Sequence, residues 1–213
     1  MNERLVWIDC EMTGLDYVAD ALIEIAAVVT DFELNVLGEG VDLVIKPPAE
    51  ALDQMDDFVR GMHEKSGLLK ELDDGITLEQ AEEQVLAYLR EHCAEGSRPP
   101  LAGNTVGTDR AFLARDMKGL DAFLHYRIVD VSSIKELSRR WYPRAYYAAP
   151  AKRGNHRALA DILESIEELR YYRAAVFVPS PGPDTPDARA LAQEYGGSLT
   201  GLGDDGPDTA QPG

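Results

Sequence analysis

The sequence predicts an α/β domain of three layers, with a mixed central sheet whose first three strands are antiparallel and whose faces carry helices. Three observations lead there. Three apolar, β-branched runs come first and lie close together; helix-like and strand-like segments alternate after them; and 45% of the 213 residues are hydrophobic, enough for a sizeable core. Leu5–Ile8 is the first strand, an apolar run that ends at the acidic step Asp9–Glu11. Leu22–Thr30 and Val36–Ile45 are the second and third, and Asp31–Asn35 joins them as a hairpin turn closed by Pro47 and Pro48. Leu78, Ala81, Val85, Leu86 and Leu89 recur at helical spacing, so Leu78–Cys93 is a helix, with Thr77 as its cap and Gly96 and Pro99-Pro100 beyond its end. A short strand at Leu101–Ala102, a helix through Asp109–Met117, a strand at Tyr126–Val129 and a helix over Ser133–Trp141 follow. Residues 143–155 read as a loop rich in Pro, Gly, Lys and Arg. A final helix runs from about His156 to Val176, with Leu159, Ile162, Leu163, Ile166 and Leu169 on one face.

Residues 1–178 are the expected working domain. The stretch 179–213 holds 6 of the 12 prolines and 7 of the 18 glycines and reads as a mostly disordered tail, with a short helix over Asp187–Tyr195. No apolar run approaches the ~20 residues of a membrane helix, so no membrane association is expected. The first residues lack a basic region followed by an apolar stretch, and Cys10 and Cys93 are too few for a disulfide framework. Both features point to the cytoplasm. A net charge of −17 argues against a surface that grips long duplex nucleic acid. The charge is uneven, however: residues 50–95 carry a net −9, and residues 126–157 a net +6 that marks a candidate anion-binding face.

Asp9 and Glu11 stand two apart at a strand end, so both carboxylates point to one side. Such a pair suits a hard oxygen-liganded cation, Mg²⁺ or Mn²⁺, although a strand end is also where charge emerges into water. Asp109 opens a helix after Gly103-Asn104-Thr105-Val106-Gly107-Thr108; taken singly it is an acid favoured by the helix dipole. His156 and Asp161 share a helix only awkwardly, because a spacing of five puts them on different faces. The pairing works better with His156 on the preceding loop and Asp161 one turn inside, where a carboxylate among Leu159, Ile162 and Leu163 requires a partner.

Together these residues carry a resemblance. Val6-Trp7-Ile8-Asp9-Cys10-Glu11-Met12-Thr13-Gly14-Leu15 resembles the first motif of the DEDDh 3′→5′ exonuclease superfamily. Gly103 to Asp109 is similar to the second, and His156-Arg157-Ala158-Leu159-Ala160-Asp161 to the third. Ile23-Glu24-Ile25-Ala26, the run His125 to Ser132, and the run Glu167 to Arg173 extend the likeness over roughly residues 4–176, within the oligoribonuclease family of that superfamily.

The resemblance implies a ribonuclease H-like fold and hydrolysis of phosphodiesters from the 3′ end to 5′-mononucleotides. It implies two ions, Mg²⁺ or Mn²⁺, among Asp9, Glu11, Asp109 and Asp161, with His156 as general base. Leu15 matches an apolar wedge between two substrate bases. Phe58 stands where the family usually has a tryptophan stacking platform, and still offers a π-face. His63, Thr105, Arg127 and Ser132 match a cap over the substrate's 5′ phosphate, with Tyr126 supplied by a second subunit, hence a homodimer acting on dinucleotides and very short RNA. Read without the resemblance, Leu15, Phe58 and Tyr126 are packing residues and Ser132 is a helix cap. Two rivals remain: an exonuclease of the same chemistry acting on longer single strands, for proofreading or tRNA 3′-end trimming, and a non-catalytic nucleotide-binding module.

Overall fold

The computed structural model describes residues 3–152, 154 and 156–196; residues 153 and 155 of the expected loop and 197–213 of the expected tail lie outside them. Two compact units divide at Val176/Phe177. The first contains a five-stranded sheet of order β3-β2-β1-β4-β5, formed by β1 (Leu5–Met12), β2 (Leu22–Thr30), β3 (Val36–Val44), β4 (Pro100–Gly103) and β5 (His125–Asp130). β1, β2 and β3 are antiparallel neighbours, whereas β4 runs parallel to both β1 and β5. The mixed sheet with an antiparallel first half is therefore as the sequence predicts.

Helices cover both faces. On one face α3 (Leu78–His92), α4 (Gly107–Asp116) and α5 (Lys118–Phe123) bury Val85, Leu89, Phe112, Leu113 and Leu120 against the even-numbered residues of β1. On the other, α6 (Val131–Trp141) and α8 (Ala158–Val176) bury Val131, Ala158, Ile162, Ile166 and Leu169 against Leu5, Trp7, Ala26 and Val28. Packing on both faces explains why all nine residues of β2 are buried. The start of α3 is set by a capping box: the Thr77 hydroxyl accepts the Gln80 N–H at 3.2 Å, and the Thr77 N–H donates to the Gln80 side chain at 3.0 Å.

Several boundaries differ from expectation. β1 continues through Asp9 and Glu11 to Met12, because β2 pairs with it all the way from Leu5 to Met12, although β4 pairs only with Val6 and Trp7. α8 begins at Ala158, which leaves His156 on the preceding segment. α1 (Ala49–Asp53) and α2 (Asp57–Ser66), followed by single 3₁₀ turns at Leu68–Lys70 and Leu72–Asp74, build a rim that the periodicity did not reveal. α2 fully buries only His63, and its apolar residues Val59 and Met62 are only partly buried, so its apolar pattern is short. Residues 143–147, expected as loop, form α7 (Pro143–Tyr147), with proline at its first turn. In the second unit, α9 (Thr185–Tyr195) is the short helix expected over Asp187–Tyr195, capped by Asp184. No helix among the described residues is long and apolar enough to cross a membrane.

The β2–β3 pairing is irregular between Ala27 and Val29, and Tyr88 of α3 repairs it. Its hydroxyl accepts the Val29 N–H at 3.1 Å and donates to the Leu37 carbonyl at 2.9 Å. Tyr88→Phe leaves both groups without that partner and should cost about 1–3 kcal/mol, read as a lower urea midpoint at unchanged slope.

Candidate active site

Alternation along β1 sorts its side chains. Val6, Ile8, Cys10 and Met12 enter the core on the α3 face, and Leu5 and Trp7 the core on the α8 face. Asp9 and Glu11 continue the Leu5–Trp7 row, so both carboxylates point toward α8. Two further acids meet them there. β4 pairs with β1 only at Val6 and Trp7, and beyond that point the Cys10 N–H donates to the Asp109 carboxylate at 3.0 Å, which draws the first turn of α4 to the strand. Asp161 lies in the first turn of α8. His156, exposed and two residues ahead of α8, has a left-handed backbone with φ of 49°, and Gly154 has φ of 63°. Ligand atoms of Glu11, His156 and Asp161 lie within 4.8 Å of one another.

The charges are costly. Burial pushes the Asp9 carboxyl well above the usual range, and repulsion from Asp109, Glu11 and Asp161 adds to it. Glu11 is pushed up to about 8, by burial first and then by Glu24, Asp161 and Asp109. Asp109 is pushed up to about 7 by burial, against the pull of backbone N–H groups. Asp161 is raised by burial and by Glu164, with His156 and Lys152 opposing. Four carboxylates that each resist ionisation, and offer only oxygen donors, match the needs of a hard divalent cation.

Glu24 is a fifth acid that motif reading did not single out. It lies directly opposite Glu11 in the β1–β2 register and is fully buried. Arg157 meets it at 2.7 Å and the Ala158 N–H donates to it at 2.9 Å, while the other end of the guanidinium grips Glu71 through two 3.0 Å bonds. Glu24 is thus neutralised from inside the protein, unlike the four around Asp9. A single charge in a nine-residue apolar strand was the available signal.

A cavity of about 460 Å³ opens over the four acids, and Leu15, Phe58 and Thr105 line it with them. Leu15 is 71% and Phe58 81% exposed, so both present apolar surface at the mouth of that cavity. Leu15 rides on a loop tied down by Asp20, which accepts the Thr13 hydroxyl and the Asp16 N–H at 2.8 Å each. Gly14 fits there because a Cβ would meet the Asp20 carboxylate at 2.3 Å.

Asp130 brings two of the expected phosphate-cap residues together, accepting the Thr105 N–H at 3.0 Å and the Ser132 N–H at 2.8 Å; their hydroxyls lie 3.1 Å apart. Tyr126 and Arg127 stand on β5 at the sheet edge. Arg127 donates to the Tyr126 hydroxyl at 3.1 Å rather than to the Thr105–Ser132 pair, and Tyr126 is 72% exposed. His63 differs from the expectation. It is fully buried, its Nε2–H donates to the Met12 carbonyl at 2.9 Å, and its Nδ1 lies 3.9 Å from Glu11. An enclosed imidazole has no path to a substrate phosphate, so in this geometry His63 supports the end of β1 instead.

A sheet of this order carrying four acids on its central strand and facing helices is the arrangement of an exonuclease, and the family model described as exonuclease matches residues 6–169. The solved structure of exonuclease I superposes with a TM-score of 0.62 at 15% identity, covering 82% of this chain, and so shares the fold. E. coli exonuclease I in complex with a 5cy-dT13 oligonucleotide superposes equally well, at 16% identity. The chain spans about two fifths of the length of these proteins. Among curated relatives, an oligoribonuclease of Streptomyces coelicolor is 69% identical over 92% of this chain and 98% of its own length. One of Cutibacterium acnes is 63% identical over 94% and 100%. The chain belongs to the oligoribonuclease family of exonucleases, and it is a nuclease.

The raised carboxyl groups fix a pH dependence. Between the ordinary values, 4.5 for Glu11 and 3.8 for Asp109, and the folded values of about 8 and about 7, the folded protein binds more protons than the unfolded chain. Without metal, stability should therefore fall as pH rises through that window. Divalent cation should raise the melting temperature more at pH 8 than at pH 6, measured by scanning fluorimetry against an EDTA control; a larger rise at pH 6 contradicts the charge assignment.

Proposed function

We propose that the protein is a 3′→5′ exoribonuclease that degrades dinucleotides and very short oligoribonucleotides to 5′-mononucleotides, in the cytoplasm and as a homodimer. The observation that carries this reading is the convergence of Asp9, Glu11, Asp109 and Asp161, none of them paired with an arginine among the described residues as Glu24 is, on one small cavity rimmed by Leu15 and Phe58. These acids would hold two ions, Mg²⁺ or Mn²⁺, which when bound supply charge stabilisation to phosphate and leaving oxygen and lower the pKa of water.

The remaining chemistry belongs to the chain. His156 takes the proton of the attacking water as its general base. Its exposure and its place on a non-helical segment next to Gly154 suit a side chain that moves to substrate, and favour this role over that of a fifth metal ligand. Leu15 enters between the two bases and Phe58 stacks on one of them, a contact of ~1–3 kcal/mol per base. Thr105, Ser132 and Arg127 cap the 5′ phosphate, and Tyr126 completes the cap from the partner subunit. In support of the dimer, β5 is an open sheet edge with Tyr126 and Ile128 exposed, next to exposed Leu137 and Trp141 of α6. Residues 1–178 contain every residue assigned a role.

Turnover of a 5′-labelled dinucleotide and of a 20-mer, with Mg²⁺ and with EDTA, tests the reading. The dinucleotide should be preferred and EDTA should stop the reaction; equal or better cleavage of the 20-mer would favour the long-strand alternative, and no cleavage a binding module. Asp9→Ala should lower activity more than about 100-fold at unchanged circular dichroism. Tyr126→Ala should be inactive on dinucleotides alone, yet partly active after mixing with Asp9→Ala, since one mixed site is then intact. Absence of recovery contradicts a shared site.

A further inference from the structure

Residues 13–21 connect β1 to β2, and Tyr17 and Val18 are exposed there beside Leu15. Side chains that face water contribute little burial, so packing alone does not hold this segment in one place. Its internal bonds give it a shape. Besides the two groups gathered by Asp20, the Val18 N–H donates to the Asp16 carboxylate at 2.8 Å, and the Thr13 N–H to the Ala21 carbonyl at 3.0 Å. Those bonds do not fix the position of the loop over the cavity.

Side chains from outside do that. Gln54, the residue after α1, donates to the Ala19 carbonyl at 2.5 Å. Arg115, in the last turn of α4, takes two carbonyls at once, those of Tyr17 and Asp20, the second at 2.8 Å. The rest of its guanidinium is held by the Asp116 carboxylate, at 2.7 Å and 2.5 Å. Its face lies 4.9 Å from the centre of the buried Phe112 ring, which in turn packs on Tyr17 at 5.1 Å. A planar fork with five donors can serve two carbonyls and a carboxylate together, and an ammonium cannot. The first turn of α4 carries Asp109, bonded to the Cys10 N–H of β1. One helix therefore holds an acid of the cavity at one end and the Leu15 loop at the other.

We propose that Arg115 is a positioning residue for Leu15: by clasping the Tyr17 and Asp20 carbonyls it keeps the apolar wedge over the cavity before substrate arrives. This inference rests on the reading of Leu15 as a side chain that enters between two bases. A loop ordered only on binding would spend part of the stacking energy on its own ordering, whereas a clasped loop keeps that energy for affinity. Arg115 lines a different cavity, of about 690 Å³, together with Val18, Ala19 and Asp20, so it acts through the loop and not by contact with the ligand.

The test is a ratio of dissociation constants carried through a double-mutant cycle. The full chain, with Ca²⁺ in place of Mg²⁺ to prevent turnover, is titrated with a dinucleotide and with the same dinucleotide lacking the base of one nucleotide. Both ligands carry the same sugars and phosphates, so their ratio isolates the contribution of the bases. The wild type should prefer the complete dinucleotide. Arg115→Ala should reduce that preference about tenfold, and Arg115→Lys, which keeps the charge and can reach one carbonyl, about threefold. The lysine variant carries the test where the alanine variant does not fold. In a Leu15→Ala background the Arg115 substitutions should have no further effect on the preference, since no wedge is left to position. A general loosening of the fold would weaken both ligands alike and leave the ratio unchanged. The proposal is overturned by a preference that Leu15→Ala reduces and neither Arg115 variant changes, or by an equal reduction with and without Leu15. A preference untouched by Leu15→Ala itself would instead remove the role of Leu15 between the bases, and this proposal with it.

Discussion

Repulsion among carboxylates gathered at the floor of one cavity and largely withdrawn from water is the constraint around which this end of the fold is arranged. Asp9 and Glu11 are held in the middle of a five-stranded sheet, and two helices deliver Asp109 and Asp161 to the same place. Burial raises all four carboxyl groups, and Asp109 and Asp161 raise Asp9 and Glu11 further. A cluster like this has two ways to lower its energy at neutral pH: it takes up protons, or it takes up cations. The contrast with Glu24 is instructive. Glu24 faces Glu11 across the β1–β2 pair, but the Arg157 guanidinium and the Ala158 N–H neutralise it from within. The fold thus pairs one acid with a guanidinium at 2.7 Å, and among the described residues no arginine pairs with the other four.

The geometry follows from how β1 is shared between two cores. Its alternate residues enter both, which locks the register, because a slip of one position would turn Trp7 and Ile8 to opposite faces and carry Asp9 and Glu11 into the α3 core. The short pairing with β4 then leaves the Cys10 N–H for Asp109. His63 braces the same region from α2 through the Met12 carbonyl. The placement of the four acids is in this sense a by-product of the packing of one strand.

Much of this was legible in the sequence, for definable reasons. The three leading strands, α3, α6 and α8 carry long apolar patterns, and the four acids sit in motifs whose local sequence resembles a known superfamily. What escaped was short or lacked a stripe. α2 fully buries a histidine and only partly buries its apolar residues, and α7 is five residues long inside a proline- and arginine-rich stretch. The end of β1 was placed too early because Asp9 looked like the point where a strand reaches water, whereas β2 stays paired with β1 past it, to Met12. The place of His63 was misjudged for a related cause: a match of position says nothing about burial, and only the packing of α2 under Met12 shows it enclosed. Glu24 and Arg157, 133 residues apart, are an ion pair that no local pattern can announce.

The central claim is that the four carboxylates form a cation site whose occupancy replaces bound protons. Titration of Mn²⁺ into the metal-free protein at pH 7, repeated in buffers of different ionisation enthalpy, measures ions bound and protons released together. Two ions per chain with net proton release, both lost in Asp109→Asn, is the result expected from carboxyl groups raised to about 7 and about 8. Saturation without proton release, or no saturable binding, would contradict it.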